Sequence, residues 1–266
     1  MKNIYSYIMI ILSLIYLMHA KEPKTLVLII ASDNQPLYNE LQKIWRSYMD
    51  SDPNHFDCYF LKNKEDLEVP VKLDNKTIWC RAEEQVELPG LLNKTLISLN
   101  FLKDSLDNYD FVIRTNLSSF WIFKNLLSFL KTSPTKNFYS GIIHGKNWDF
   151  LDGKGWICGA GIILSTDLAI TLIEHRDYLL NPNNWHGAKH DDTMIAQFFH
   201  DRNIQLSLSN YLEISSCKDL SKFYQHAQNN VFHIRVKTSY KNRLPFELKF
   251  HKFLLETFYM KKHLFK

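Results

Sequence analysis

Glycine is scarce in this 266-residue chain, at 8 residues, which excludes a collagen-like repeat and a flexible Gly-rich linker. Cysteine is sparser still. Cys58, Cys80, Cys158 and Cys217 include no Cys-x-x-Cys pair, so the spacing of a structural zinc site is missing. A large charge of one sign is lacking as well. The formal net charge of +4 is too small for a nucleic-acid binder, although it suits a protein that meets anionic small molecules or a membrane surface. No internal repeat and no low-complexity linker occurs, so no second domain is indicated. What is present, 45% apolar and 23% charged residues with plentiful aromatics, is the composition of a globular protein. Its length suffices to bury a core without staples.

The N-terminus is distinctive. Lys2 precedes an apolar run from Ile4 to Met18, broken only by Ser6 and Ser13, and His19-Ala20-Lys21 follows. A positive start and a run of this length read as a signal peptide or short signal anchor over 1–20. Met18 stands where a cleavage site prefers a small residue, which favours an uncleaved anchor, and the run is near the lower limit for a membrane span. Such a segment would tether the protein to a membrane, or release it, in the lumen of the secretory pathway (Golgi or ER). There the four cysteines permit up to two disulfides in any of three pairings. Asn75-Lys76-Thr77 and Asn93-Lys94-Thr95 are acceptor patterns for N-glycosylation.

Beyond that segment, strand and helix patterns alternate. Lys24 to Ser32 is a β-branched apolar run, as expected for a strand buried on both faces of a parallel sheet. Leu41, Ile44, Trp45 and Tyr48 give the following stretch helical spacing. His55–Leu61 and Thr77–Cys80 read as strands, Pro89-Gly90 opens a helix with Leu92, Leu96, Leu99 and Leu102 on one face, and Tyr109–Arg114 is the next strand. This order predicts an α/β fold built as an open, mostly parallel, twisted sheet flanked by helices. Ligands of such sheets lie at the carboxyl ends of the strands. Further on, Phe138–Gly141 has strand character, Gly153 to Gly161 is glycine-rich, and helices are expected over Thr166–Leu180 and Asp191–Phe199. Val231–Val236 is a late strand. One domain over 21–240 is predicted, followed by a basic, aromatic and helical tail over 241–266. In that tail Phe250, Phe253, Leu254 and Phe258 recur at helical spacing among Lys249, Lys252, Lys261 and Lys262. Such a stripe is either buried against the core or laid on a membrane.

Three segments carry a resemblance. Tyr109-Asp110-Phe111-Val112-Ile113-Arg114-Thr115-Asn116-Leu117-Ser118-Ser119-Phe120-Trp121 resembles the strand and loop that bear the Asp-x-Asp motif of GT-A glycosyltransferases, the β-1,3-galactosyltransferase and fringe-like families above all. Cys158-Gly159-Ala160-Gly161-Ile162-Ile163-Leu164-Ser165 is similar to their glycine-rich acceptor loop. Asp191-Asp192-Thr193 resembles the acidic pair that opens a helix and supplies their catalytic base. The three occur in the family's order across Lys24 to Val236. The resemblance implies a GT-A fold, a nucleotide-sugar donor, a glycan or glycoprotein acceptor, and inverting transfer.

The chain departs from the family at the centre, where Asn116-Leu117-Ser118 replaces Asp-x-Asp. A divalent ion on a diphosphate prefers anionic oxygen ligands, and an amide and a hydroxyl supply none. No bound metal or other cofactor is therefore expected, and either transfer is metal-independent or the protein is a non-catalytic glycan- or nucleotide-binding relative. A membrane-associated interaction protein is a further alternative, prompted by the tail.

Residues expected at the donor are Ser32 and Asp33, ending the first strand, then Arg114, Asn116 and Ser118. In a strand, His233, Arg235 and Lys237 share one face and form a candidate cationic clamp for the diphosphate, or else the polar face of an edge strand. Asp192, with Asp191 in reserve, is the candidate general base; as the first residues of a helix the pair also reads as caps. Trp156, Gly159, Ala160, Gly161, Trp185 and His186 are candidates for the acceptor, with core packing the plain alternative for the two tryptophans.

Overall fold

The computed structural model describes residues 22–81, 87–145, 151, 153–216, 219, 223, 230–239 and 241–260. The expected signal or anchor at 1–20, Cys217, Lys261 and Lys262 lie outside them. Among the described residues no helix is long and apolar enough to cross a membrane.

Strand β1 (Thr25–Ile30) is buried at every position. Leu26, Leu28 and Ile30 enter one core while Val27 and Ile29 enter another, as the two-residue period of a strand requires. Around it the chain lays down β2 (Phe56–Asn63), β3 (Val71–Asp74), β4 (Thr77–Cys80), β5 (Phe111–Asn116), β7 (Tyr139–His144), β8 (Trp156–Ser165) and β9 (Leu206–Leu208) in the order β3-β4-β2-β1-β5-β8-β7-β9. The β1–β2, β1–β5, β2–β4 and β7–β9 pairings are parallel. The β3–β4, β5–β8 and β7–β8 pairings are antiparallel. The result is a single α/β domain on a mostly parallel central sheet. A small second sheet, β10 (Tyr211–Ile214), β11 (His233–Val236) and β6 (Ser119–Trp121), forms beside it.

Helices cover both faces. Helix α1 (Pro36–Tyr48) starts on a proline, whose fixed φ suits the first helical position, and buries Leu37, Leu41, Ile44, Trp45 and Tyr48. It shares its core with α3 (Phe123–Leu130), the small sheet and α7 (Leu244–Leu255). On the other face lie α2 (Gly90–Phe101), α4 (Thr166–Glu174), α5 (Arg176–Leu180) and α6 (Asp191–His200).

Two expectations are corrected. The helix read over Thr166–Leu180 is two helices, because His175 leaves helical angles (φ −105°, ψ 24°) and its Nδ1 pairs with the Thr171 carbonyl at 3.0 Å. The glycine-rich stretch read as a loop is mostly strand β8, with glycine where backbones approach closely. At Gly141 (φ 154°) a Cβ would stand 2.3 Å from the Gly161 carbonyl oxygen, on the far strand of the β7–β8 pair.

The apolar stripe of the tail is spent on the core rather than left for a membrane. Phe250 and Leu254 are buried. In the π-helical turn after α7, the Tyr259 hydroxyl donates to the Trp121 carbonyl at 2.7 Å and accepts from the Phe123 N–H at 3.0 Å.

Candidate active site

The site forms where β5, β8 and the start of α6 meet. Arg114, near the end of β5, is buried, and its guanidinium donates to the Gly159 carbonyl and to the Asp191 carboxylate. Its Nε has no partner among the described residues. Burial pushes the Asp191 carboxyl up and Arg114 opposes that shift. Asp192 is half-buried; its Oδ2 accepts the Gly159 N–H and its Oδ1 the Thr193 N–H, both at 2.8 Å. Thr193 in turn takes the His190 N–H at 3.3 Å, and the helix N-terminus favours the two carboxylates.

A polar network holds the Gly159–Gly161 backbone from beneath. Thr115 Oγ1 and Ser119 Oγ each donate to the Ala160 carbonyl at 2.6 Å. Trp121 Nε1 donates to Thr115 Oγ1 at 3.0 Å, and His233 Nε2 lies 3.0 Å from Ser119 Oγ. Because Ser119 spends its proton on Ala160, His233 must carry its own proton on Nε2. Burial lowers the His233 pKa to about 3, so the ring is neutral, and it stacks on Trp121 with 4.2 Å between centroids.

Two clefts open above this floor. The first, of about 410 Å³, is lined by Arg114, His144, Trp156, Gly159, Ala160, Asp191, Asp192 and Arg235 among others. The second, of about 290 Å³, is lined by Ser32, Tyr38, Asn116, Ser118, Lys237 and Arg243, and shares Ile30, Leu91 and Asn116 with the first. Ile30 and Asn116 end β1 and β5, the carboxyl edge at which open sheets bind ligands. A third cleft, of about 350 Å³, contains Glu213 and Ser215 and touches the other two through Arg235 and Lys237.

Positive charge gathers where the clefts join. The Lys237 pKa is lowered first by desolvation, then by Arg235 and Arg243, so an anion placed there would relieve mutual repulsion. Arg235 donates to Glu213 at 2.8 Å and to the Cys158 sulfur at 3.3 Å, and His144 Nε2 lies 3.5 Å from Glu213. Contact with the Cys158 sulfur and with Glu213 raises His144 to about 10, while His144, then Arg235, lowers Glu213 to about 2. Arg243 is fixed at its post by a two-pronged pair with Glu247, at 2.7 and 2.9 Å.

Asn116 and Ser118 face each other. Asn116 Oδ1 accepts from the Ser118 N–H at 3.2 Å and the Ser118 hydroxyl at 2.8 Å, with Ser119 Oγ at 3.4 Å. A divalent ion fits this pair poorly: the side-chain amide oxygen already receives both Ser118 donors, and an amide and a hydroxyl bring no negative charge. Among the described residues, no group of three or more His, Cys, Asp or Glu side chains could hold a metal.

Of the residues expected at the site, Ser32, Arg114, Asn116, Ser118, Trp156, Gly159, Ala160, Asp191, Asp192, Arg235 and Lys237 line the clefts. Others are placed elsewhere. His233 leaves the expected clamp, being buried, neutral and covered by Gly161. Gly161 lines none of these clefts and packs against His233 and Trp121. Asp33 pairs with Lys62 at 2.6 Å and Gln42 at 3.0 Å. Trp185 donates to the Leu179 carbonyl at 3.2 Å and packs on the core, and His186 sits in an exposed turn (φ +32°). Arg114 and Asp191 line the first cleft but spend their charge on each other. The sequence reading overlooked Tyr38, His144, Glu213 and Arg243, and took Cys158 only as the start of the glycine-rich motif. Only Arg243 carried a local signal, its Glu partner four residues on.

Neither a protein-family model nor a curated protein matches the sequence. Among solved structures the chain is similar to a glycosyltransferase involved in the glycosylation of the major capsid of PBCV-1. That likeness has a TM-score of 0.50 and covers 87% of this chain and 100% of the other at 12% identity. It is a likeness of fold, and it makes the architecture glycosyltransferase-like.

Proposed function

We propose that the protein transfers a sugar from a nucleotide-sugar donor to a hydroxyl of a glycan or glycoprotein, with inversion and without a bound metal. The observation that carries this reading is a half-buried, backbone-held carboxylate, Asp192, in a cleft that joins a second cleft where Arg235, Lys237 and Arg243 converge. The resemblance of its motifs to the β-1,3-galactosyltransferase and fringe-like families, and the glycosyltransferase-like fold, point the same way.

In this reading the nucleoside lies in the second cleft by Ser32 and Tyr38, and the diphosphate lies at Lys237, Arg243 and Arg235. The acceptor enters the first cleft beside Trp156. Asp192 takes the proton of the acceptor hydroxyl as its oxygen bonds to the anomeric carbon from the face opposite the leaving group. The bond from that carbon to the diphosphate oxygen breaks, and the diphosphate departs with the electron pair. The developing negative charge falls on fixed cations, the electrostatic part that a metal fills elsewhere. Asp191, spent on Arg114, is no second base.

The test is a panel of UDP- and GDP-sugars with and without EDTA, read by nucleoside diphosphate release and by binding. Turnover should survive EDTA, and strict dependence on Mn²⁺ would refute metal independence. Asp192→Asn should lower turnover by roughly two to four orders of magnitude, the scale of a general base, at unchanged donor affinity. The Asn116–Ser118 pair also favours a second reading, a non-catalytic nucleotide- or glycan-binding relative. Nucleotide-sugar binding with no turnover of any donor by the wild type would select it.

A further inference from the structure

We propose that Arg114 is a positioning residue for Asp192, acting through the Gly159 backbone, and that the Arg114–Asp191 pair exists to aim it. The inference rests on the reading of Asp192 as the base. The geometry is a relay across one residue, from the peptide group on one side of the Gly159 Cα to the peptide group on the other. Arg114 holds the Gly159 carbonyl, and the N–H of the same residue holds Asp192 Oδ2 at 2.8 Å. The other amine of the guanidinium holds Asp191, the residue before Asp192, so one side chain fixes the Asp192 carboxylate from both sides.

Three observations separate this from a buried ion pair kept only for stability. Such pairs are weak stabilisers, because desolvation offsets their attraction. Among the described residues the buried Arg114 Nε also has no partner, so the guanidinium is not placed to satisfy all its donors but to reach Gly159 and Asp191. Finally, Gly159 has no room for a side chain: a Cβ would stand 2.6 Å from the Arg114 amine and 3.3 Å from Asp192 Oδ2. The residue is clasped between the two groups it connects.

Removing Arg114 alone strands Asp191 and threatens the fold, so the informative variant removes both charges, Arg114→Met with Asp191→Leu. Cys158-Gly159 is the sole Cys-Gly step in the chain, so carbonyl-labelled Cys with ¹⁵N-Gly isolates the Gly159 amide in NMR. In the double variant the Tm should recover most of what Arg114→Met loses, while Gly159 amide exchange quickens by about tenfold or more. Release of UDP or GDP from the donor panel should fall about 10- to 100-fold, the penalty of a misplaced reacting group, with UDP affinity unchanged. Gly159 exchange that stays slow, or turnover that returns together with the Tm, overturns the proposal. Asp192→Asn keeps the two ideas apart: if it leaves turnover intact, the base reading fails while exchange still judges the relay. Should the wild type turn over no donor, exchange alone decides.

Discussion

Gly161→Ala probes the packing beneath the site. A Cβ at this position would stand 2.3 Å from His233 Cε1, 2.8 Å from His233 Nδ1 and 2.9 Å from Trp121 Cζ2. Carbon atoms pack comfortably at about 3.5–4.0 Å, so the histidine must retreat by more than about 1 Å. It has nowhere to go. Both rings are fully buried and stacked nearly parallel, and Trp121 is pinned by its bond to Thr115. Overpacking of this kind costs about 1–3 kcal/mol. A retreat also breaks the 3.0 Å contact between His233 and Ser119, worth about 0.5–1.5 kcal/mol more. The total, about 1.5–4.5 kcal/mol, corresponds to a Tm lowered by roughly 3–18 °C for a domain of this size. Thermal unfolding read by circular dichroism measures it. Trimming the clashing ring, as His233→Ala, should cost less in the Gly161→Ala background than in the wild type. A Tm drop below about 2 °C, or strict additivity of the two substitutions, would refute the picture of a rigid stack pressed against Gly161.

Tyr259→Phe deletes a hydroxyl that serves the Trp121 carbonyl and the Phe123 N–H, and should cost about 1–3 kcal/mol, seen as a lowered urea midpoint at unchanged slope. An unchanged midpoint would place the tail's contribution elsewhere. His144 rises from 6.5 to about 10 on folding, so its stabilisation is complete below pH 6.5 and is lost as pH climbs towards 10. Glu213 falls from 4.5 to about 2, so its share is complete above pH 4.5 and is lost as pH drops towards 2. The Tm difference between wild type and Glu213→Gln should therefore peak between pH 4.5 and 6.5; because both groups are partly exposed it should be small, and a difference that grows on either side would contradict the pairing.

The central elements were legible because their side chains obey a period. Strand β1 is apolar throughout and α1 repeats its buried residues at helical spacing, so each announces its own burial. Strand β3 is nearly all exposed, and β9 is a three-residue edge, so neither carries a pattern to read. The site shows the same division. Asp192, Cys158, Gly159 and Arg114 belong to motifs, whereas His144, Glu213 and Arg235 come from three separate strands and meet only through the fold. His233 marks the limit of reasoning by alternation. Alternation set His233 beside Arg235 and Lys237, but the central sheet covers that end of the strand at Gly161, and burial removed its charge.

The bond between Tyr259 and Trp121 spans 138 positions of sequence. During synthesis, β6 and the start of α3 leave the ribosome long before the helix that covers them exists. Until then Tyr48, Phe120 and Phe123, of which Tyr48 touches the other two and all touch Tyr259 in the finished molecule, lack that partner and present apolar surface to water. Such delayed closure of a non-local contact slows folding and exposes a nascent chain to association with others. The tail thus sets when the wall beside the candidate site is finished, and a pause in translation before residue 244 would prolong the vulnerable interval.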